Sequence, residues 1–129
     1  MRVFIPKHAW YKSVPRDWPW WHVWKRDQLE LVEDWWIQID GEWWCIKKGT
    51  RWDGSTIPRL LWVIAPPTYG PAIHGSLFHD ECYRRWWRRV TKPWSDEALR
   101  AIMLYDGAEP FMARAFWLGV RANVTGGGW

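Results

Sequence analysis

From Leu29 the chain reads LELVEDWWIQIDGEWWCIKKGTRW, where apolar and polar positions alternate with the period of two that marks strands. WWIQI and EWWCIKK flank Asp40-Gly41, a dipeptide that favours a two-residue hairpin turn. In the first run Trp36 and Gln38 fall on one face, and Trp35, Ile37 and Ile39 on the other. LELVE is expected to add a third strand. Then GTRWDGSTIPRLLWVIAPPTYGP is interrupted by Gly49, Gly54, Gly70, Pro58, Pro66, Pro67 and Pro71. This pattern predicts a long ordered loop with a short helix near 59–64, too apolar for a disordered linker. The period then lengthens. With about 100° per residue, Ala72, Ser76, His79, Tyr83, Trp86 and Val90 share one helical face. Pro71 suits the start of this first helix, which is expected to run to about residue 89. Ser95 is the predicted N-cap of a second helix, with Asp96 and Glu97 in its first turn and Gly107 after its end. Pro110 opens a third, over about 111–121.

These elements predict an α+β fold: an N-terminal antiparallel hairpin or small sheet, a long ordered loop and three C-terminal helices. Residues 29–122 are expected to form one domain. Residues 1–28, with RDWPWWHVWKRD broken by Pro19 and lacking a period, are read as a Trp-rich extended arm. Residues 123–129, ending TGGGW, are read as a flexible tail.

Composition sharpens this picture at one point. A chain of 129 residues suits one domain, yet it carries 16 tryptophans. A core of this size cannot enclose them all, so some are expected at an interface, above all Trp18, Trp20, Trp21 and Trp24 of the arm. A docking surface for a partner, a membrane boundary, or a cover over the domain's own core are the uses such an arm suits. The start, MRVFIPKHAW, lacks the apolar run of a signal peptide, and no stretch approaches the length of a membrane span. Synthesis in the cytoplasm is therefore expected. The two cysteines, Cys45 and Cys82, sit in apolar surroundings without C-x-x-C spacing and read as buried thiols. Net charge is +4, too mild to imply nucleic acid. The arginines of RRWWRRV suit a helix C-terminus, and no nucleic-acid motif accompanies them.

Candidate chemistry gathers in FHDECYRRWW. His79 and Tyr83 lie on the inward face of the first helix, and Asp80 is rotated one residue around. Asp96 shares an apolar stripe with Leu99 and Met103 on the second helix, so its buried carboxylate needs a partner. His79 on the neighbouring helix is the natural one. A carboxylate that orients a histidine is a general-base arrangement, and it is equally a satisfied buried network. Asp80 would face the mouth of such a site, placed for a cation or a substrate. The loop adds Asp53, Ser55, Thr56 and Arg59, with Asp53 either approaching the histidine or capping a turn.

The order DGSTIPR (Asp53–Arg59), HDECYR (His79–Arg84) and SD (Ser95-Asp96) resembles a phage and prophage family of domains of unknown function. That family is marked by a T-D-(G/F)-A-S-(I/V)-P-R loop, an H-D-x-x-Y helix and a following A-D. Trp52 replaces its threonine, and Ser55-Thr56 stands in for alanine-serine. The resemblance implies a phage origin and no defined activity. H-D-x-C-Y followed by an aspartate on the next helix is also similar to the dyad of secretory phospholipase A(2). That likeness implies His79 as base, Asp80 as calcium ligand, Asp96 as the orienting group and Tyr83 as support. The glycine-rich calcium loop and the disulfides of those enzymes are not recognisable in this chain. Two functions follow as expectations. One is a phage virion or assembly component, associated with tail or capsid, that contacts other phage structural proteins or its own copies through tryptophan. The other is a small hydrolase.

Overall fold

The computed structural model describes residues 1–14, 28–52 and 70–122, and these form the expected α+β layout. The hairpin is where the alternation placed it. Strands β4 (Trp35–Ile39) and β5 (Glu42–Ile46) pair antiparallel, with Trp35 opposite Ile46 and Ile37 opposite Trp44. Asp40 and Gly41 both have positive φ, 50° and 85°, as the tight turn between twisted strands requires. Trp35, Ile37 and Ile39 are buried, Trp36 is exposed, and Gln38 is half-buried.

The first fourteen residues correct the expectation of an irregular segment. Strand β1 (Val3–Phe4) pairs with β4 and completes the order β1-β4-β5. Strand β2 (Tyr11–Val14) pairs with β3 (Gln28–Leu31), and β3 pairs with β6 (Arg51–Trp52), giving a second antiparallel sheet. LELVE is thus a strand, but of a different sheet from the hairpin it precedes. The short strands β1 and β6 carry too little periodicity to be seen in sequence; the ladders they join define them. Of the expected arm, residues 15–27, with Trp18, Trp20, Trp21 and Trp24, lie outside the described residues, as do the long loop from Asp53 to Tyr69 and the tail.

Helix α1 (Ile73–Arg84) follows a 3-10 turn at Gly70–Ala72 and ends five residues earlier than its pattern predicts. The Trp86 N–H turns back to the Glu81 carbonyl, and the Val90 N–H bonds the Trp86 carbonyl. This brings the Trp86 ring to 4.8 Å from Trp44 and 5.6 Å from Phe78. Packing the half-buried indole against two aromatic rings takes the place of about one and a half further helical turns. Arg88 and Arg89 therefore sit on a turn, where each guanidinium covers a tryptophan, Trp87 at 4.6 Å and Trp44 at 4.8 Å.

Helix α2 (Lys92–Tyr105) also starts earlier than expected. Its N-cap is Thr91, whose hydroxyl accepts from the Trp94 N–H at 3.2 Å, with Pro93 in the first turn. Ser95 is inside the helix and faces Cys82 across the α1–α2 interface. Gly107, at φ 89°, follows the helix end, and α3 (Pro110–Ala122) matches its predicted span. Among the described residues no helix is long and apolar enough to cross a membrane.

The main core joins inward sheet residues, including Leu31, Ile37, Trp44, Ile46 and Trp52, to Leu77, Phe78 and Cys82 of α1 and Ala98 and Ile102 of α2. A second cluster, with Leu99, Met103, Ala113, Phe116 and Val120, holds α3 on α2. Trp35, Trp44 and Trp52 are enclosed, whereas Trp10, Trp36 and Trp43 are exposed. Half of the β4–β5 indoles point away from the core.

Candidate functional site

Asp96 is fully buried, one turn into α2, and three donors converge on it. His79 Nε2 on α1 lies 2.8 Å from Oδ1. Lys92 Nζ, one turn earlier on α2, lies 2.8 Å from Oδ2, and an Arg121 nitrogen at the end of α3 lies 3.4 Å from the same oxygen. Lys92 also donates to the Val120 carbonyl at 2.6 Å, which ties α2 to α3 beside the carboxylate. Burial pushes the Asp96 carboxyl up. The hydrogen bonds from His79 and Lys92 outweigh that and hold it below the ordinary carboxylate range. An ionised carboxylate only accepts hydrogen bonds, so His79 carries its proton on Nε2 and donates it to Asp96.

The approach of the two helices makes this contact possible. A Cβ built on Gly75 would come within 2.7 Å of Leu99 Cδ1 and 3.1 Å of the Leu99 carbonyl oxygen. Gly75 therefore lets α1 and α2 close together one helical turn before His79. Tyr83 follows His79 by one turn on the same side of α1 and is half-buried. Asp80 is largely buried, with Arg84 at 3.6 Å. Arg84 in turn donates to the Arg51 carbonyl and so fastens the end of α1 to β6. Asp53, Ser55 and Arg59 lie outside the described residues.

Calcium at Asp80 finds little support in the groups around it. Among the described residues no cluster of three or more histidine, cysteine or acidic side chains could hold a metal ion. The Arg84 guanidinium, 3.6 Å from Asp80, is a cation that competes for the same carboxylate. The described residues do not by themselves make a calcium site.

Sequence reasoning missed a second histidine–carboxylate pair. His74 is buried on α1, with Nδ1 2.9 Å from Asp106 Oδ2 at the end of α2. Its Nε2 accepts the Ala9 N–H at 3.0 Å, so Nδ1 is the donor to Asp106. The ring stacks on Trp35 at 4.9 Å. Both nitrogens serve the fold, pinning the chain between β1 and β2 to the helices. The one available signal was that Asp106 directly precedes the helix-ending Gly107. The cysteines do not offer a nucleophile. Both are free thiols, and burial pushes Cys82 up to about 12.

An α+β scaffold that buries a histidine–aspartate pair between consecutive helices is the class of protein these observations define. The chain belongs to the family described as Protein of unknown function (DUF1353), whose model matches residues 29–120 and so includes His79, Asp80, Tyr83, Lys92 and Asp96. No curated protein and no solved structure matches the chain.

Proposed function

We propose that this chain is a phage- or prophage-encoded accessory protein that works by protein contact, as a virion or assembly component. The observation that carries this reading is the outer face of the β1-β4-β5 sheet. Phe4, Trp36 and Trp43 stand there side by side, each 48% exposed, with Phe4–Trp43 and Trp36–Trp43 ring centroids 6.2 Å and 6.4 Å apart in edge-to-face pairs. At ~150–250 Å² per aromatic ring, the three leave roughly 300 Å² of aromatic surface in water, the size of patch that monomeric proteins keep for function. That is well short of the ~800 Å² per partner of a standard interface, so this face is the centre of a larger contact. The occupant is another structural protein of the particle, and the reading assigns Trp18, Trp20, Trp21 and Trp24 of the arm to contacts of the same kind.

The test uses the full chain with Trp36→Ser and Trp43→Ser together. Neither side chain is in the core, so the variant should still fold cooperatively, destabilised only by the lost edge-to-face pairs, ~0.5–1.5 kcal/mol each. Mass spectrometry of purified particles from the source should find the wild-type chain and not the double variant. A wild-type chain missing from particles and monomeric in isolation would remove the reading.

The 2.8 Å His79–Asp96 contact favours a second reading, a small hydrolase. With Nε2 protonated, the basic lone pair of neutral His79 is on Nδ1, an atom closed to solvent in the structure, so on this reading substrate binding opens the site before Nδ1 takes a proton from water as the water attacks an ester. Asp96 would orient the ring, and Asp80 would meet substrate or cation at the mouth. Hydrolysis of phospholipid or short-chain ester by the purified chain, reduced ~10²–10⁴-fold in His79→Asn, is the expected result on this reading. Absence of turnover by the wild-type chain, with and without calcium, would leave the pair a structural one.

A further inference from the structure

A separate cleft lies where β5 meets the turn between α1 and α2. It encloses about 350 Å³ and is lined by Glu42, Trp44, Arg89, Val90, Thr91 and Trp94. The half-buried Trp94 forms its accessible apolar wall; the Trp44 ring, with its centroid 5.7 Å away and its plane inclined at 40°, is buried beneath Arg89. Glu42 and Arg89 form its rim. They pair at 3.6 Å, and both side chains are 61% exposed, so neither is locked by the contact. Thr91 caps α2 by accepting from the Trp94 N–H, which leaves its own hydroxyl proton to donate elsewhere.

We propose that this cleft binds a neutral saccharide through one or two pyranose rings. Charge selects the class. The Arg89 guanidinium already lies 4.8 Å over the Trp44 ring, so a second cation on this aromatic wall meets repulsion. An anion drawn to Arg89 or to the start of α2 meets Glu42. What remains is a ligand without net charge that is apolar on one face and rich in hydroxyls at its edge. A pyranose has that division: its C–H face suits the Trp94 ring, while its hydroxyls donate to the Glu42 carboxylate and accept from Arg89. The volume is at the small end for ligand sites and limits occupancy to a short segment. The cleft is on the helix side of β5, and its lining includes neither the exposed sheet aromatics nor His79 and Asp96, so the inference does not rest on either reading above.

Saturation-transfer NMR on the full chain with maltotriose, cellotriose and chitotriose tests this, with choline and inorganic phosphate as charged probes. At least one trisaccharide should show saturable transfer to its ring C–H protons and weaken about tenfold, or ~1.4 kcal/mol, in Glu42→Ala and in Arg89→Ala. Glu42→Ala is at the surface and should leave melting unchanged; Arg89→Ala also uncovers the Trp44 ring, so its binding is measured at a temperature where its own melt shows it folded. Trp94→Ala should abolish the signal, but it also removes core packing, so the two rim variants decide the matter. No saturable binding of any trisaccharide, binding undiminished in both rim variants, or binding of choline or phosphate instead would each overturn the proposal.

Discussion

At the scale of single residues, two buried carboxylates have opposite electrostatic fates. Asp96 is held below its ordinary pKa of 3.8 by the His79 and Lys92 hydrogen bonds, which outweigh burial. Its stabilisation is present above that pH and is lost as pH falls through the folded value. Asp96→Asn leaves Lys92 and Arg121 without their anion and should cost ~3–5 kcal/mol at neutral pH by urea unfolding. The gap from wild type should close on acidification below about pH 4; a gap independent of pH would show that charge is not its source. Glu81 is the reverse case. Burial raises it above 4.5, and Arg85 at 3.5 Å offsets this only in part. Its favourable contribution is complete below pH 4.5 and is lost as pH rises through the folded value. Glu81→Gln should therefore be the more stable protein at pH ~8, by on the order of 1 kcal/mol, with the advantage fading toward pH ~4.5. Equal melting of the two proteins at high pH would contradict this. The His79–Asp96 pair was legible because each residue lies on an apolar helical stripe. Lys92, at i−4 from Asp96, was not, because the predicted helix began too late to include it.

At the scale of elements, the closeness of α1 and α2 depends on one missing side chain. An exposed helical glycine replaced by alanine gains roughly 1 kcal/mol from propensity. Gly75→Ala should instead destabilise by ~1–3 kcal/mol, because its Cβ meets buried Leu99, including that residue's backbone, and Met103. Calorimetry gives the sign directly, and a rise in melting temperature would mean that the helices can separate without loss. The hairpin, by contrast, was readable residue by residue, since alternation and an Asp-Gly turn are local signals. The helix ends were not. Trp86 leaves its helical pattern to fill the core against Trp44 and Phe78, and Thr91 takes the cap that Ser95 could equally have supplied. Ser95 is instead drawn inside by the packing of α2 on Cys82.

At the scale of the whole molecule, the chain's first residues belong to both sheets. β1 closes one sheet on β4, β2 closes the other on β3, and between them Ala9 is hydrogen-bonded to buried His74. A chain beginning at Gln28 should therefore fail to unfold cooperatively and should expose apolar surface to a hydrophobic dye. A sharp thermal transition in that truncated chain would refute this. For the same reason, the part played by the arm tryptophans is best measured by substitution, which leaves β1 and β2 in place. The sequence by itself determined the α+β class, the hairpin with its two faces, three C-terminal helices and the meeting of His79 with Asp96. The first three follow from a repeat or turn signal within a few residues, and the last from apolar stripes on two consecutive helices. The tertiary structure alone decided which strands share a sheet, that residues 1–14 join them, that Arg121 and Lys92 share Asp96, and that His74 and Asp106 pair. Those are contacts between segments whose local patterns are silent about one another, and only burial of the common core brings them together.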